Sequence, residues 1–142
     1  MMRKKQETSS RALILRILMI LYILAVGFLC FNNFKDLPEA PKYLFGIPAD
    51  KIAHFCMFFP FPLLGFFSFD HQRWSKMETV GNVISLIAWG CIFAGLTEIV
   101  QGMLPYRSQD IKDFRADVLA ITISSLLVLL IDLYLVKHPR RR

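Results

Sequence analysis

The sequence predicts an all-α membrane protein, a bundle of four transmembrane helices with both termini cytoplasmic. Three observations predict it. The 142 residues are 55% hydrophobic with a mean hydropathy of +0.46, well above a soluble domain and incompatible with disorder. The apolar residues gather in four runs close to the bilayer-crossing length of about 20 residues. The Lys and Arg residues of the connections divide unequally between the two sides. The length suits a single domain over residues 1–142.

The first span covers about residues 12–31 and is apolar apart from Arg16. Its basic start and Ala25-Val26-Gly27 loosely fit a signal peptide, but the apolar run continues to Phe31, which favours an uncleaved anchor. The second span, 52–69, holds His54 and Ser68. Pro60, Pro62 and Gly65 predict a bend in it, which either opens a cavity or serves packing. The third span, 80–100, carries Asn82, Ser85, Thr97 and Glu98 as its polar residues. The fourth, 116–136, carries Asp117 and Asp132 near its ends. All four are apolar around the whole helix rather than along one stripe, as lipid-embedded helices are.

Sidedness follows from the cations. The N-terminal tail (Arg3, Lys4, Lys5, Arg11), the second connection (Arg73, Lys76) and the C-terminal tail (Lys137, Arg140, Arg141, Arg142) total ten. The other side (Lys35, Lys42, Lys51, Arg107, Lys112, Arg115) totals six. The richer side is cytoplasmic, so both tails are. The net charge of +6 therefore reports orientation and contact with anionic lipid, not nucleic acid. Cys30, Cys56 and Cys91 are unclustered and read as small buried side chains, neither a disulfide framework nor a zinc signature.

Ionisable groups in membrane helices cost about 2.5–3.5 kcal/mol at the centre, so they mark candidate sites. Three groups stand out, all at the outer ends of spans. Asp50 and His54 are four apart and share a face at the start of span two. Glu98 and Gln101 are three apart at the end of span three. Asp113 and Asp117 are four apart at the start of span four. A helix cap accounts for Asp50, a water-reaching terminus for Gln101, and a solvated loop for Lys112 and Arg115. None of these accounts for the deeper partners. His54 and Asp117 lie about 6 Å, and Glu98 about 4.5 Å, inside their outer-tier neighbours at 1.5 Å per residue. A shared polar pocket explains the matched depths, and Arg107, in the connection between spans three and four, is placed to close it or to clamp an anionic group. Arg16 and Asp132, near the cytoplasmic ends of spans one and four, are expected to snorkel or to pair with each other.

At these residues the sequence resembles the VanZ-like family of small bacterial membrane proteins. The carrying motifs are Asp50-Lys51-Ile52-Ala53-His54-Phe55, Glu98-Ile99-Val100-Gln101, then Arg107, then Asp113-Phe114-Arg115-Ala116-Asp117. They cover roughly residues 48–125 in the family's order and spacing. Where the family often has a Gly-rich stretch, this chain has Ala120-Ile121-Thr122-Ile123-Ser124-Ser125, also rich in small residues. The resemblance implies a multi-pass protein of the bacterial cytoplasmic (inner) membrane. The family's founding member is associated with resistance to the glycopeptide teicoplanin, and the resemblance supplies no reaction.

Residues and resemblance together lead to an outward-facing polar site that binds or processes a cell-envelope component, lipid-linked or peptidoglycan-related. His54, Glu98 and Asp117 are the catalytic candidates, with His54 and Glu98 best suited to acid/base work. Asp50, Lys51, Gln101, Arg107 and Asp113 are the ligand-binding candidates. No Ser or Cys nucleophile is evident. A metal site built from His54, Glu98, Asp113 and Asp117 is chemically feasible, but no recognised metal spacing supports it, and no cofactor is expected. The expected partners are the bilayer and an envelope lipid or peptidoglycan precursor. The competing reading is a non-catalytic accessory protein whose polar cluster is a helix-packing network. A transporter is the weakest reading, because four spans are few for a transport path.

Overall fold

The computed structural model describes residues 2–33, 42–68, 76–107 and 109–137. The cations Lys35, Arg73, Arg140, Arg141 and Arg142 used for sidedness lie outside the described residues. The chain is helical apart from one short hairpin: α1 Met2–Phe31, β1 Tyr43–Leu44, β2 Ile47–Pro48, α2 Ala49–Phe58, α3 Pro60–Ser68, α4 Lys76–Gly102 and α5 Ile111–Lys137. Four segments are long and apolar enough to cross a membrane: Ser10–Phe31, Ala49–Ser68, Met77–Gly102 and Ile111–Tyr134. Large apolar side chains such as Leu13, Ile20, Leu24, Phe28, Trp89 and Leu130 are exposed, as a lipid-facing surface requires.

The hairpin was not anticipated. Tyr43 pairs with Pro48 and Leu44 with Ile47 in antiparallel register. Its tip, Phe45-Gly46, has positive φ at both residues (55° and 78°), the geometry of a two-residue turn matched to strand twist. The hairpin delivers the chain straight into α2, with Pro48 preceding the first turn.

The second span is two helices, broken at Phe59. Pro60 and Pro62 have no N–H to offer the carbonyls of Cys56 and Phe58, so the ladder fails there. The Tyr22 hydroxyl of α1 donates to the intervening carbonyl, that of Met57, and ties the break to α1. Beyond it, α3 packs on α1, α4 and α5, whereas α2 packs mainly on α5. The bend thus separates the first half of span two from α1.

The fourth span starts earlier than its apolar run suggests. Asp110 is its N-cap: its carboxylate accepts the Lys112 N–H at 2.8 Å. Asp113 therefore sits in the first helical turn. The small residues of α5 do allow close packing. Ala120, Ile121, Ser124 and Ser125 are fully buried, and a Cβ on Gly90 of α4 would lie 3.0–3.2 Å from Ile121 and Phe61.

The main core cluster includes Cys30, Phe58, Ala94, Ala120 and Ile121. A second cluster, Phe66, Val83 and Val128, fills the other half of the bundle. Phe58, Ala94 and Ile121 lie one helical turn from His54, Glu98 and Asp117 respectively. The faces that build the apolar core therefore also aim the three polar residues inward, about 6 Å nearer the hairpin end.

Arg16 and Asp132 do not pair. The Arg16 Nε donates to the Ser68 carbonyl at 3.3 Å, and Asp132 accepts the Thr79 hydroxyl at 2.9 Å. Helix α1 lies against α3 and α4 rather than α5, so each charge takes the polar group nearest to it.

Candidate functional site

The three deep residues meet. His54 from α2, Glu98 from α4 and Asp117 from α5 present one nitrogen or oxygen each within 4.8 Å of one another. The His54 Nδ1 lies 3.1 and 3.3 Å from the two carboxylate oxygens of Asp117. It is 3.9 Å from Oε1 of Glu98. Its other ring nitrogen, Nε2, faces Oδ2 of Asp113 at 3.9 Å. The Asp117 side chain has no solvent exposure, and those of Glu98 and His54 have 4% and 8%.

The outer tier is organised by Lys51. Its ammonium reaches Asp50 at 2.9 Å, Asp110 at 2.8 Å and Asp113 at 2.5 Å. Three donors on one ammonium serve three carboxylates from two elements and a loop. The hydrogen bond from Lys51, then that from the Lys112 N–H, holds the Asp110 carboxyl below the usual carboxylate range. The Asp110 N–H in turn donates to Oε2 of Glu98 at 3.2 Å, which joins the two tiers. Oε1 of Glu98 is buried and has no hydrogen-bond partner among the described residues.

Two expected members of the site turn away from the carboxylates. Gln101 donates from Nε2 to the carbonyl of Cys30 at 3.1 Å. Arg107 directs an Nη2 to the carbonyls of Leu29 and Asn32, both at 3.3 Å. The Tyr106 hydroxyl donates to the Phe31 carbonyl at 2.8 Å. Together these side chains cap the end of α1, where the last four carbonyls lack helical partners and carry partial negative charge. Arg107 is therefore held at the end of α1. Asp110 occupies the outer-tier place expected for Gln101. A carboxyl just ahead of an apolar run, with an N–H two residues on, is the capping signal that could have identified it. Lys51 was legible only as part of a motif, since one cation's choice among three acids depends on packing.

Two openings reach the polar core. A cleft of about 780 Å³ runs between α1 and α2. Leu29, Ala53 and Met57 give it apolar wall, and Asp50, His54, Gln101 and Arg107 supply polar groups. Its α2 wall (Ala49, Asp50, Ala53, His54, Cys56, Met57) is one face of that helix, the face the break at Phe59 turns from α1. A second groove of about 550 Å³ between α4 and α5 reaches Glu98 and Asp110 from the other side. Chemically, the site offers a buried imidazole–carboxylate pair, a half-satisfied carboxylate and a guanidinium at the mouth of an amphipathic cleft.

In comparison with known protein families, the family model described as VanZ/LLP1 matches residues 3–132. No curated protein and no solved structure matches the chain.

Proposed function

The chain belongs to the VanZ/LLP1 family, and from that premise and the cleft we propose that it binds an anionic, lipid-linked component of the bacterial cell envelope. The observation that carries this reading is the cleft of about 780 Å³ between α1 and α2. Its apolar wall suits a hydrocarbon chain, and Arg107 and Gln101 stand where a headgroup would emerge. Arg107 is suited to a phosphate or carboxylate because its guanidinium donates in a planar fork. The ten-to-six division of Lys and Arg supports an outward-facing cleft in the cytoplasmic membrane. In this reading His54 lines the cleft beside the bound headgroup, next to Asp117.

The test is titration of the purified protein in mixed micelles with a polyprenyl phosphate and with the neutral polyprenol. The phosphate is expected to bind more tightly, Arg107→Ala to weaken that preference, and Met57→Trp to block both by filling the cleft. Equal affinity for the two lipids, or binding indifferent to Met57→Trp, overturns the reading. The family's association with teicoplanin resistance supplies a cellular readout: His54→Gln is expected to abolish any protection that the wild type confers at equal expression.

One observation favours the accessory reading. The His54–Asp117 and Lys51–Asp113 contacts join α2 to α5 across 63 and 62 residues, which is what a packing network does. If conservative changes in these residues lower stability and leave lipid binding intact in the folded fraction, the network accounts for them.

A further inference from the structure

Five carboxylates gather at the hairpin end of the bundle: Asp50, Glu98, Asp110, Asp113 and Asp117. Lys51 contacts three of them. Glu98 and Asp117, the most buried, have the His54 ring as their one cationic neighbour among the described residues. Two carboxylates in a low-dielectric layer need more positive charge than one imidazole supplies.

Oε1 of Glu98 sharpens the point. It is buried, has no hydrogen-bond partner among the described residues and lies 3.9 Å from the His54 Nδ1. An unsatisfied buried polar atom is costly, and more so when charged.

The geometry points to a divalent transition-metal ion, of the zinc type, held by His54 Nδ1, Glu98 Oε1 and a carboxylate oxygen of Asp117. Ligand bonds of about 2.0–2.2 Å put neighbouring donors roughly 3.0–3.5 Å apart. The His54–Asp117 separation is already 3.1 Å, and the His54–Glu98 separation of 3.9 Å needs only a small side-chain adjustment. One imidazole with two carboxylates favours zinc or iron over magnesium or calcium, which take all-oxygen shells. The ion and two carboxylates with a neutral imidazole sum to zero charge, which a buried site tolerates. The surrounding shell is also present. Asp113 faces the far ring nitrogen of His54, the usual position for a carboxylate that orients a metal-bound histidine. The Asp110 N–H fixes the other oxygen of Glu98. With three protein ligands, a coordination position is left toward the cleft that His54 lines.

The test uses the full chain in detergent, without a polyhistidine tag, stripped by chelator and dialysed against zinc. One zinc per chain is expected by elemental analysis. Glu98→Gln and Asp117→Asn should abolish stoichiometric binding, Asp113→Asn should weaken it roughly 10–100-fold, and Asp50→Asn should leave it unchanged. Trace zinc in the wild type, or full binding by a folded Glu98→Gln, overturns the assignment. So does loss in Asp50→Asn with retention in Glu98→Gln. Should the variants fail to fold, cobalt(II) titration of the wild type decides: a ligand-field spectrum with imidazole nitrogen coupling supports the site, and its absence refutes it. No lipid is present in these measurements, so their outcome is independent of the lipid-binding reading.

Discussion

His54 and Asp117, 63 residues apart in sequence, hold each other at 3.1 Å in a buried polar layer, one helical turn from the apolar core. Removing one partner leaves the other buried and uncompensated, which costs about 3–5 kcal/mol. Asp117→Ala is therefore expected to lower the unfolding free energy by about that amount. The His54→Gln/Asp117→Asn cycle should show coupling of about 0.5–3 kcal/mol. Unfolding by detergent titration in mixed micelles measures both. Additive single effects would mean that the two side chains do not act as a pair.

Lys51 is the cation of the outer tier, so its loss leaves three aspartates facing one another. Lys51→Met is expected to destabilise the fold, and Lys51→Met/Asp113→Asn to recover part of the loss by removing the most buried of the three charges. Asp50, more than half exposed, should give no such rescue. Melting temperatures of the four proteins check the order.

Gly65 and Gly90 both face neighbours closely but differ in what they meet. A Cβ on Gly65 would lie 2.6 Å from Cδ2 of Leu86, the mobile end of a flexible side chain, with every other contact beyond 3.8 Å. A Cβ on Gly90 would press on two atoms of Ile121, which is fully buried, and on the ring of Phe61. Gly90→Ala is expected to cost about 1–3 kcal/mol through overpacking, and Gly65→Ala clearly less. Melting curves of the two variants test the contrast.

The Tyr22 hydroxyl bridges α1 to the proline break through the Met57 carbonyl. Tyr22→Phe keeps the ring and removes one hydrogen bond, an expected loss of about 1 kcal/mol. Because this bridge lies at the base of the cleft, the variant should also change the reactivity of Cys56 in the cleft wall, measured with a thiol reagent. Unchanged stability and labelling would show that the bridge does not hold the break in place.

Much of the fold was legible because its signals are local. Membrane-length apolar runs identified four spans, and Pro60 and Pro62 located the bend. Helical spacing placed His54, Glu98 and Asp117 on inward faces at matched depth, which the structure bears out. The boundaries were less legible: α5 begins at Ile111 because Asp110 caps it, whereas hydropathy rises only at Ala116.

Pair choice was decided by tertiary structure alone. Which of several acids Lys51 takes, why Arg107 and Gln101 cap α1, and why Arg16 and Asp132 part all depend on helix rotation and neighbour order. The cleft likewise exists because α3 follows α1 while α2 turns to α5. The sequence alone determined the spans, their bend and the depth of the deep acids and histidine, since hydropathy and a 1.5 Å rise act along one helix. Only the packed bundle determined their contacts, because a contact needs two helices and a side chain takes whichever polar partner that packing brings within reach.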